Sequence, residues 1–233
     1  MKEPFDVPVL GIDLGASFTK LSYRPGWTTG EKYQSPCKLL MIDDSPLVPS
    51  LVIHTTDRRK PWLCGRAAAV YRPTAGAKVF TNWKASLFSD KLTSNVSGSI
   101  TAAGEFFRWL RRKVLDGGIE IEECRIKLCL PAFDDITEAA SILGQQMELS
   151  GWTNVSVSRI AEPRANTIGV FSEGRNRLYL HRVHGITPWF MSMYPMGSPL
   201  LEHLRSFGLR DGPRHAHVAI IDVGSFTTDF SSR

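Results

Sequence analysis

Apolar residues recur at two different periods along this chain of 233 residues, and the periods predict a mixture of strands and helices. Residues 126–130 and 155–158 alternate between apolar and polar positions, as a half-buried strand does. The residues between these two stretches instead show an apolar stripe at helical spacing. A strand, a helix and a second strand in this order favour a parallel sheet with crossover helices. We therefore expect an α/β fold.

Two helices are predicted from their apolar stripes together with the signals at their ends. The first is stopped by Gly117 and Gly118. Its apolar positions are Ala103, Phe106, Phe107, Leu110 and Val114. The second begins at a capping box of Asp135 and Glu138 and ends at Gly151. Its apolar positions are Ile136, Ala139, Leu143 and Met147.

Two similar segments, residues 12–20 and residues 221–229, indicate an internal duplication. Each follows a short apolar run that predicts a buried strand. Each contains an aspartate and, two positions later, a glycine that is followed by small or hydroxylated residues. Such a glycine predicts a tight turn into a second strand. The chain is therefore expected to form two related hairpins, one at the start of each half of a duplicated fold.

Composition and charge narrow the class of protein. With 42% hydrophobic and 22% charged residues, the chain has the composition of an ordinary soluble globular protein. The 28 basic and 23 acidic residues leave a net charge of +5. The basic residues form only short clusters, and no nucleic-acid recognition module accompanies them. A nucleic-acid partner is therefore not expected.

The cysteines and the lengths of the apolar runs indicate the cellular compartment of the protein. The four cysteines, Cys37, Cys64, Cys124 and Cys129, form no CxxC pair and have no histidine partners at zinc spacing. Buried, reduced thiols are expected, and they fit a reducing cytosol. No apolar run approaches the roughly 18 residues that a membrane helix needs, and the N-terminus has no signal-peptide pattern. We expect a cytoplasmic protein with no membrane partner.

The two hairpins carry the residue types that bind a triphosphate and its metal ion. Glycine, serine and threonine in tight turns let backbone N–H groups and hydroxyls approach phosphate oxygens. Carboxylates hold hydrated Mg²⁺, mostly through water. The first hairpin supplies Asp13 with Gly15, Ala16 and Ser17, and the second supplies Asp222 with Gly224, Ser225 and Thr227. A single Asp-x-Gly turn is most simply a structural turn. Two such turns, each after a predicted buried strand, favour a phosphate-binding function instead.

These residues resemble the actin, sugar-kinase and heat-shock-chaperone ATPase superfamily. Residues 11–20 and 221–229 resemble its two phosphate loops, and residues 160–169 resemble its first connecting segment. Further motifs resemble the nucleotide-binding domain of the seventy-kilodalton heat-shock chaperones. They are Val48-Pro49-Ser50, Gly65 with Ala67-Ala68, Phe80, Lys84, and residues 129–133 followed by Asp135.

The resemblance implies an actin-like ATPase fold, also called ribonuclease H-like, and a role for each matching residue. Asp13 and Asp222 would lie near Mg²⁺, with Asp222 also counted among the catalytic residues. Glu162 would place the attacking water, and Thr227 would contact the terminal phosphate. Lys84 would be the catalytic cation. The plainer alternatives are a helix start at Glu162 and a solvated surface lysine at position 84.

Two positions depart from the chaperone pattern. Ala16 stands where the chaperones carry a threonine, so one phosphate-binding hydroxyl is missing, and Ser17 is a candidate substitute. Lys20 stands where actins carry a lysine that contacts phosphate. Two cations, Lys20 and Lys84, therefore compete for one role, which leaves the branch of the superfamily open.

The resemblance also implies a division of the chain and a function. Residues 1–171 would form the first lobe, with an inserted subdomain at about 36–115. Residues 172–216 would form an elaborated connection, and residues 217–233 the start of the second lobe. We expect an N-terminal fragment of a chaperone-like ATPase that uses Mg²⁺ and hydrolyses ATP to ADP in the full-length protein, with a protein client or co-chaperone as partner. Without the rest of the second lobe, the chain is expected to bind ATP only at about millimolar concentration and to be inactive.

Two alternatives remain open. The first is an actin-like protein in which the same chemistry times the assembly of filaments, and Lys20 favours it. The second is a non-catalytic scaffold that keeps an ATPase fold, and Ala16 together with the long stretch 172–216 favours it.

Overall fold

The computed structural model describes residues 7–26, 37–88, 96–129 and 137–157, and the backbone of two short segments, 219–223 and 228–232. The strands are β1 (Val9–Leu14), β2 (Phe18–Arg24), β3 (Lys38–Leu39), β4 (Val48–Pro49), β5 (Val52–His54), β6 (Trp62–Cys64), β7 (Lys78–Phe80), β8 (Arg125–Cys129), β9 (Val155–Val157), β10 (Ala219–Val223) and β11 (Thr228–Ser232). The helices are α1 (Gly65–Val70), α2 (Trp83–Leu87), α3 (Val96–Asp116) and α4 (Thr137–Leu149), with a 3-10 turn at Ile121–Glu123.

The described residues fall into two units. The larger unit holds every described residue from 7 to 157 together with Val223, and the smaller one holds residues 219–222 and 228–232. In the smaller unit β10 pairs with β11, as the second predicted hairpin requires. The predicted boundaries after residues 171 and 216 lie outside the described residues and stay predictions.

A mixed sheet forms the centre of the larger unit. Its strand order is β3-β2-β1-β8-β9, and β4 also pairs with β2. Strand β1 is antiparallel to β2 but parallel to β8, and β8 is parallel to β9. Helix α3 precedes β8, and α4 connects β8 to β9. The predicted α/β class, with a mixed sheet and crossover helices, is confirmed.

The hydrophobic core lies between this sheet and the two long helices. Burial alternates along β1, so that Leu10, Ile12 and Leu14 face the core while the residues between them are half-buried. The predicted stripe of α3 is buried in full, and α4 buries Ala139, Leu143 and Met147. Both helices therefore lie where their apolar periods predicted. The capping box at Asp135 and the apolar position Ile136 lie outside the described residues.

A second sheet of three antiparallel strands, in the order β6-β5-β7, lies in sequence between β4 and β8 of the central sheet. Helix α1 begins directly after β6 at Gly65, which has a φ of 60°. A Cβ atom there would lie 2.3 Å from the Trp109 ring, so both the backbone conformation and the neighbouring helix require glycine. This glycine therefore fixes how α1 leaves the second sheet beside α3.

The cysteine prediction holds only in part. None of the four cysteines, all of which lie in the described ranges, forms a disulfide; Cys64 and Cys124 are buried as expected, whereas Cys129 is only half-buried. Cys37 is exposed, which contradicts the expectation, because it precedes the short outer strand β3, whose two residues are also exposed. Among the helices in the described ranges, none is both long and apolar enough to cross a membrane.

Candidate functional site

The end of β1 and the start of β2 bring a carboxylate and a cation together. Alternation along β1 turns Asp13 away from the buried face that carries Ile12 and Leu14. Lys20 is its register partner on β2, and its Nζ lies 3.3 Å from Asp13 Oδ2. The side chains are 48% and 46% exposed. An ion pair this exposed contributes about 0–1 kcal/mol, so Lys20 can exchange the carboxylate for another anion at little cost.

The β1–β2 loop, residues 15–17, is too tightly folded for a side chain at its first position. A Cβ atom on Gly15 would lie 2.2 Å from the carbonyl oxygen of Phe18, so glycine is required there. Ala16 is half-buried and supplies no hydroxyl, whereas Ser17 is exposed. Ser17 is thus an exposed, hydroxyl-bearing residue of the loop beside the Asp13–Lys20 pair.

Lys84 reaches this loop from helix α2. Its side chain is buried, with 3% exposure, and its ammonium donates to the carbonyl oxygen of Leu14. The ammonium also lies 6.0 Å from the centre of the Phe88 ring, a cation–π distance. The alternative of a solvated surface lysine is therefore wrong. The two competing lysines occupy different places, Lys20 on the exposed side of Asp13 and Lys84 beneath the residue that precedes the loop.

Ser50, to which the sequence analysis assigned no role, holds the same loop. Its hydroxyl donates to the Gly15 carbonyl at 2.7 Å, and its backbone N–H donates to the Ser17 carbonyl at 2.8 Å. The residue is 2% exposed. The Val48-Pro49-Ser50 motif marked this residue in the sequence, but no local pattern predicted its contact with a loop 35 positions earlier.

The other predicted site residues belong to the second hairpin and the connecting segment. Asp222 is the fourth residue of β10, described by its backbone alone. Glu162, Gly224, Ser225 and Thr227 lie outside the described residues. The predicted roles of these five residues therefore stay predictions.

Asp13 has the chemistry that the predicted magnesium ion would require. Mg²⁺ keeps several waters and is typically held by one or two carboxylates together with phosphate oxygens. The carboxylate of Asp13 is half-exposed and lies beside the tight β1–β2 loop, so it is available as such a ligand. Across the described ranges, no cluster of three or more histidine, cysteine or acidic side chains suits a metal ion. The bound Mg²⁺ stays a prediction.

A cavity of about 380 Å³ lies beside β4. It is lined by Ile42, Asp43, Ser45, Leu47, Val48, Pro49 and Arg66. None of the predicted site residues lines it. The candidate site is thus an open surface of the larger unit, and not this cavity.

Comparisons with known proteins yield structural neighbours only. No protein-family model and no curated protein sequence matches the chain. The structure is similar to MreB 5 of Spiroplasma citri bound to AMPPNP, with a TM-score of 0.47, 13% identity, and coverage of 98% of this chain and 72% of that chain. It is also similar to a non-polymerising mutant of MamK bound to AMPPNP, with a TM-score of 0.44, 12% identity, and coverage of 97% and 72%.

Both matches have TM-scores below 0.5 and identities of 13% or less, so they carry no argument about the superfamily of this chain. The predicted closeness to heat-shock chaperones therefore stays a prediction. The similarity is one of backbone arrangement at low sequence identity, and it assigns no activity to this chain.

Proposed function

We propose that this chain is a nucleotide-binding lobe of an actin-like ATPase and that it holds the phosphates of Mg-ATP at the β1–β2 loop. The observation that carries the proposal is the arrangement around that loop. A carboxylate, Asp13, and an exposed ammonium, Lys20, lie side by side next to a turn that has no room for a side chain at Gly15. This combination offers a ligand for the metal, a cation for the phosphates and close backbone approach.

Each group of the loop has a separate task in this proposal. Asp13 holds Mg²⁺ through water, and the backbone N–H groups of residues 15–17 together with the Ser17 hydroxyl bind phosphate oxygens. Mg²⁺, when bound, neutralises phosphate charge. Lys20 turns from Asp13 to a phosphate oxygen. The roles in hydrolysis that the sequence predicts for Asp222, Thr227 and Glu162 stay predictions.

Within this class we favour a filament-forming ATPase over a chaperone lobe. The two lysines distinguish these branches. The ammonium of Lys84 is buried and donates to the Leu14 carbonyl, whereas Lys20 is half-exposed beside Asp13. Lys20 is therefore the better-placed cation for an incoming phosphate, and it is the feature of the sequence that favours the actin-like branch. A client-binding chaperone is the competing function.

Nucleotide binding is tested by titration calorimetry with Mg-AMPPNP on the wild-type chain and on Asp13→Asn. We expect wild-type binding at about millimolar concentration and at least a tenfold loss for Asp13→Asn, because the metal loses a charged ligand. Asp44→Asn is the matched control, since Asp44 is an exposed aspartate outside the loop and its φ of 63° suits asparagine. Equal affinities of wild type and Asp13→Asn would contradict the metal role.

The branch is tested by sedimentation of the full-length protein after addition of Mg-ATP. Filaments pellet and release phosphate as they assemble. A protein that stays in the supernatant and whose ATP turnover rises with an unfolded peptide is a chaperone. A protein that binds Mg-ATP but releases no phosphate is the non-catalytic scaffold.

A further inference from the structure

Every polar group of Ser50 takes part in a hydrogen bond. Its hydroxyl and N–H donate to the Gly15 and Ser17 carbonyls, as described above. Its Oγ lies 2.9 Å from the hydroxyl oxygen of Thr19, and its own carbonyl accepts the indole N–H of Trp83 at 2.9 Å. Ser50 thus contacts the β1–β2 loop, strand β2 and helix α2 through one buried residue.

The direction of the hydroxyl hydrogen bonds follows from proton counting. A serine hydroxyl has a single proton, and Ser50 gives it to the Gly15 carbonyl at 2.7 Å. The Thr19 hydroxyl must therefore be the donor in its bond to Ser50. Thr19 and Ser50 are both buried, so each of these bonds would leave an unsatisfied group if it were lost.

Helix α2 is joined to the loop region by two adjacent residues. Trp83 donates to Ser50, which holds the loop, and Lys84 donates to Leu14, which precedes it. Trp83 is itself fixed in the core, because its ring lies 5.5 Å from the Phe106 ring and 6.4 Å from the Phe107 ring. A shift of either the loop or α2 alone would strain or break these hydrogen bonds.

We infer that Ser50 is a positioning residue that joins the β1–β2 loop and helix α2 into one rigid unit, so that the position of α2 sets the phosphate affinity of the loop. The second half of this inference rests on the proposed function. The consequence is regulatory: a partner or ligand that displaces α2 changes the shape of the loop without touching it.

The coupling is tested without nucleotide, by amide hydrogen exchange on the whole chain. Ser50→Ala should raise exchange by about tenfold both in residues 15–19 and in residues 83–87. Trp83→Phe should raise exchange in residues 15–19, because it removes the indole donor while it keeps an aromatic ring. An increase confined to the segment that carries the substitution overturns the inference. Trp83→Phe also decides the matter if Ser50→Ala does not fold.

Ser150→Ala is the matched control for the loss of a buried serine. The Ser150 hydroxyl oxygen lies 2.9 Å from the Gly104 carbonyl oxygen of α3 and 2.7 Å from the Gln146 carbonyl oxygen of α4, so these two acceptors share its single proton, and Ser150→Ala removes a buried contact between α3 and the end of α4. We expect a similar fall in Tm for Ser50→Ala and Ser150→Ala. Exchange in residues 15–19 should rise only in the former.

Nucleotide affinity then separates the inference from the proposed function. Mg-AMPPNP should bind Ser50→Ala about tenfold more weakly than wild type and Ser150→Ala as tightly as wild type. If Ser50→Ala and wild type bind Mg-AMPPNP equally well, Ser50 does not influence the phosphate affinity of the loop. The proposed function is then unaffected. Failure of the wild-type chain to bind overturns the proposed function, and the exchange data still decide whether Ser50 couples the loop to α2.

Discussion

Lys84 carries a charge in a place where charged groups are rarely found. Burial of an ammonium costs several kcal/mol unless hydrogen bonds and charges compensate for it. The Leu14 carbonyl and the Phe88 ring supply part of that compensation. Lys20, in contrast, stays in water beside Asp13. Lys84 is therefore largely removed from water, whereas Lys20 stays solvated, and we expect different effects when each is replaced.

Lys84→Ala and Lys20→Ala in the protein distinguish the catalytic role of one lysine from the phosphate-binding role of the other. If Lys84 acts on charge that develops during transfer, Lys84→Ala abolishes ATP hydrolysis and retains nucleotide binding. Lys20→Ala should weaken binding more than turnover, because it removes a cation that meets the bound phosphate. Phosphate release and calorimetry measure the two quantities, with exposed Lys60→Ala as the control. The reverse pattern would assign the catalytic cation to Lys20.

Helix α3 is the element on which both sheets of the larger unit depend. Its 21 residues bury Phe106, Phe107 and Leu110 in the main core. Its Glu105 carbonyl accepts the thiol of Cys64 at 3.8 Å, and Cys64 lies on the second sheet. The regular apolar stripe from Ala103 to Val114, about three turns long, explains why this helix was predictable from its period.

The contribution of α3 to the free energy of unfolding is measured with Leu110→Ala. The side chain is fully buried, so its truncation should lower the free energy of unfolding by about 2–5 kcal/mol. Thr101→Ala on the exposed face of the same helix should change it by about 0.5 kcal/mol or less. Urea unfolding followed by circular dichroism gives both values. Equal effects of the two substitutions would mean that α3 does not pack as described.

At the scale of the whole molecule, stability should depend on pH through a buried thiol. Burial, followed in size by the nearby Glu105 carboxylate, raises the pKa of Cys64 from 9.0 to about 12. The unfolded chain ionises this thiol at lower pH than the folded one does. The protonated Cys64 thiol therefore makes its full contribution to the free energy of unfolding below about pH 9, and this contribution is lost as the pH rises towards 12.

This dependence is checked by urea unfolding between pH 7 and 11 on wild type and Cys64→Ala. The difference in unfolding free energy between the two should shrink above about pH 9, since only wild type carries the thiol. A second readout is labelling with a thiol reagent at pH 8, where exposed Cys37 should react first and Cys64 only on unfolding. A pH-independent difference, or rapid labelling of Cys64 in the folded chain, would contradict the burial.

Local patterns were enough to predict the elements and part of the site. The stripe of α3, the alternation of β8 and the glycine turn after Asp13 each depend on residues close in sequence, whose period or backbone freedom is visible in the letters themselves. Asp13, Gly15 and Lys20 were found together for the same reason, because one hairpin holds them. Predictions on Glu162 and Thr227 concern residues outside the described ranges and stay predictions.

The remaining features were decided by contacts between residues far apart in the chain. Lys84 and Leu14 are separated by 70 positions, and Ser50 and Gly15 by 35. No period or turn signal records such a pair, because it forms only when two elements are packed against each other. The sequence by itself determined which residues lie in the hairpin and the helices. Only the tertiary structure decided that Lys84 is buried and that Ser50 holds the loop, since burial and hydrogen-bond partners are properties of the packed chain.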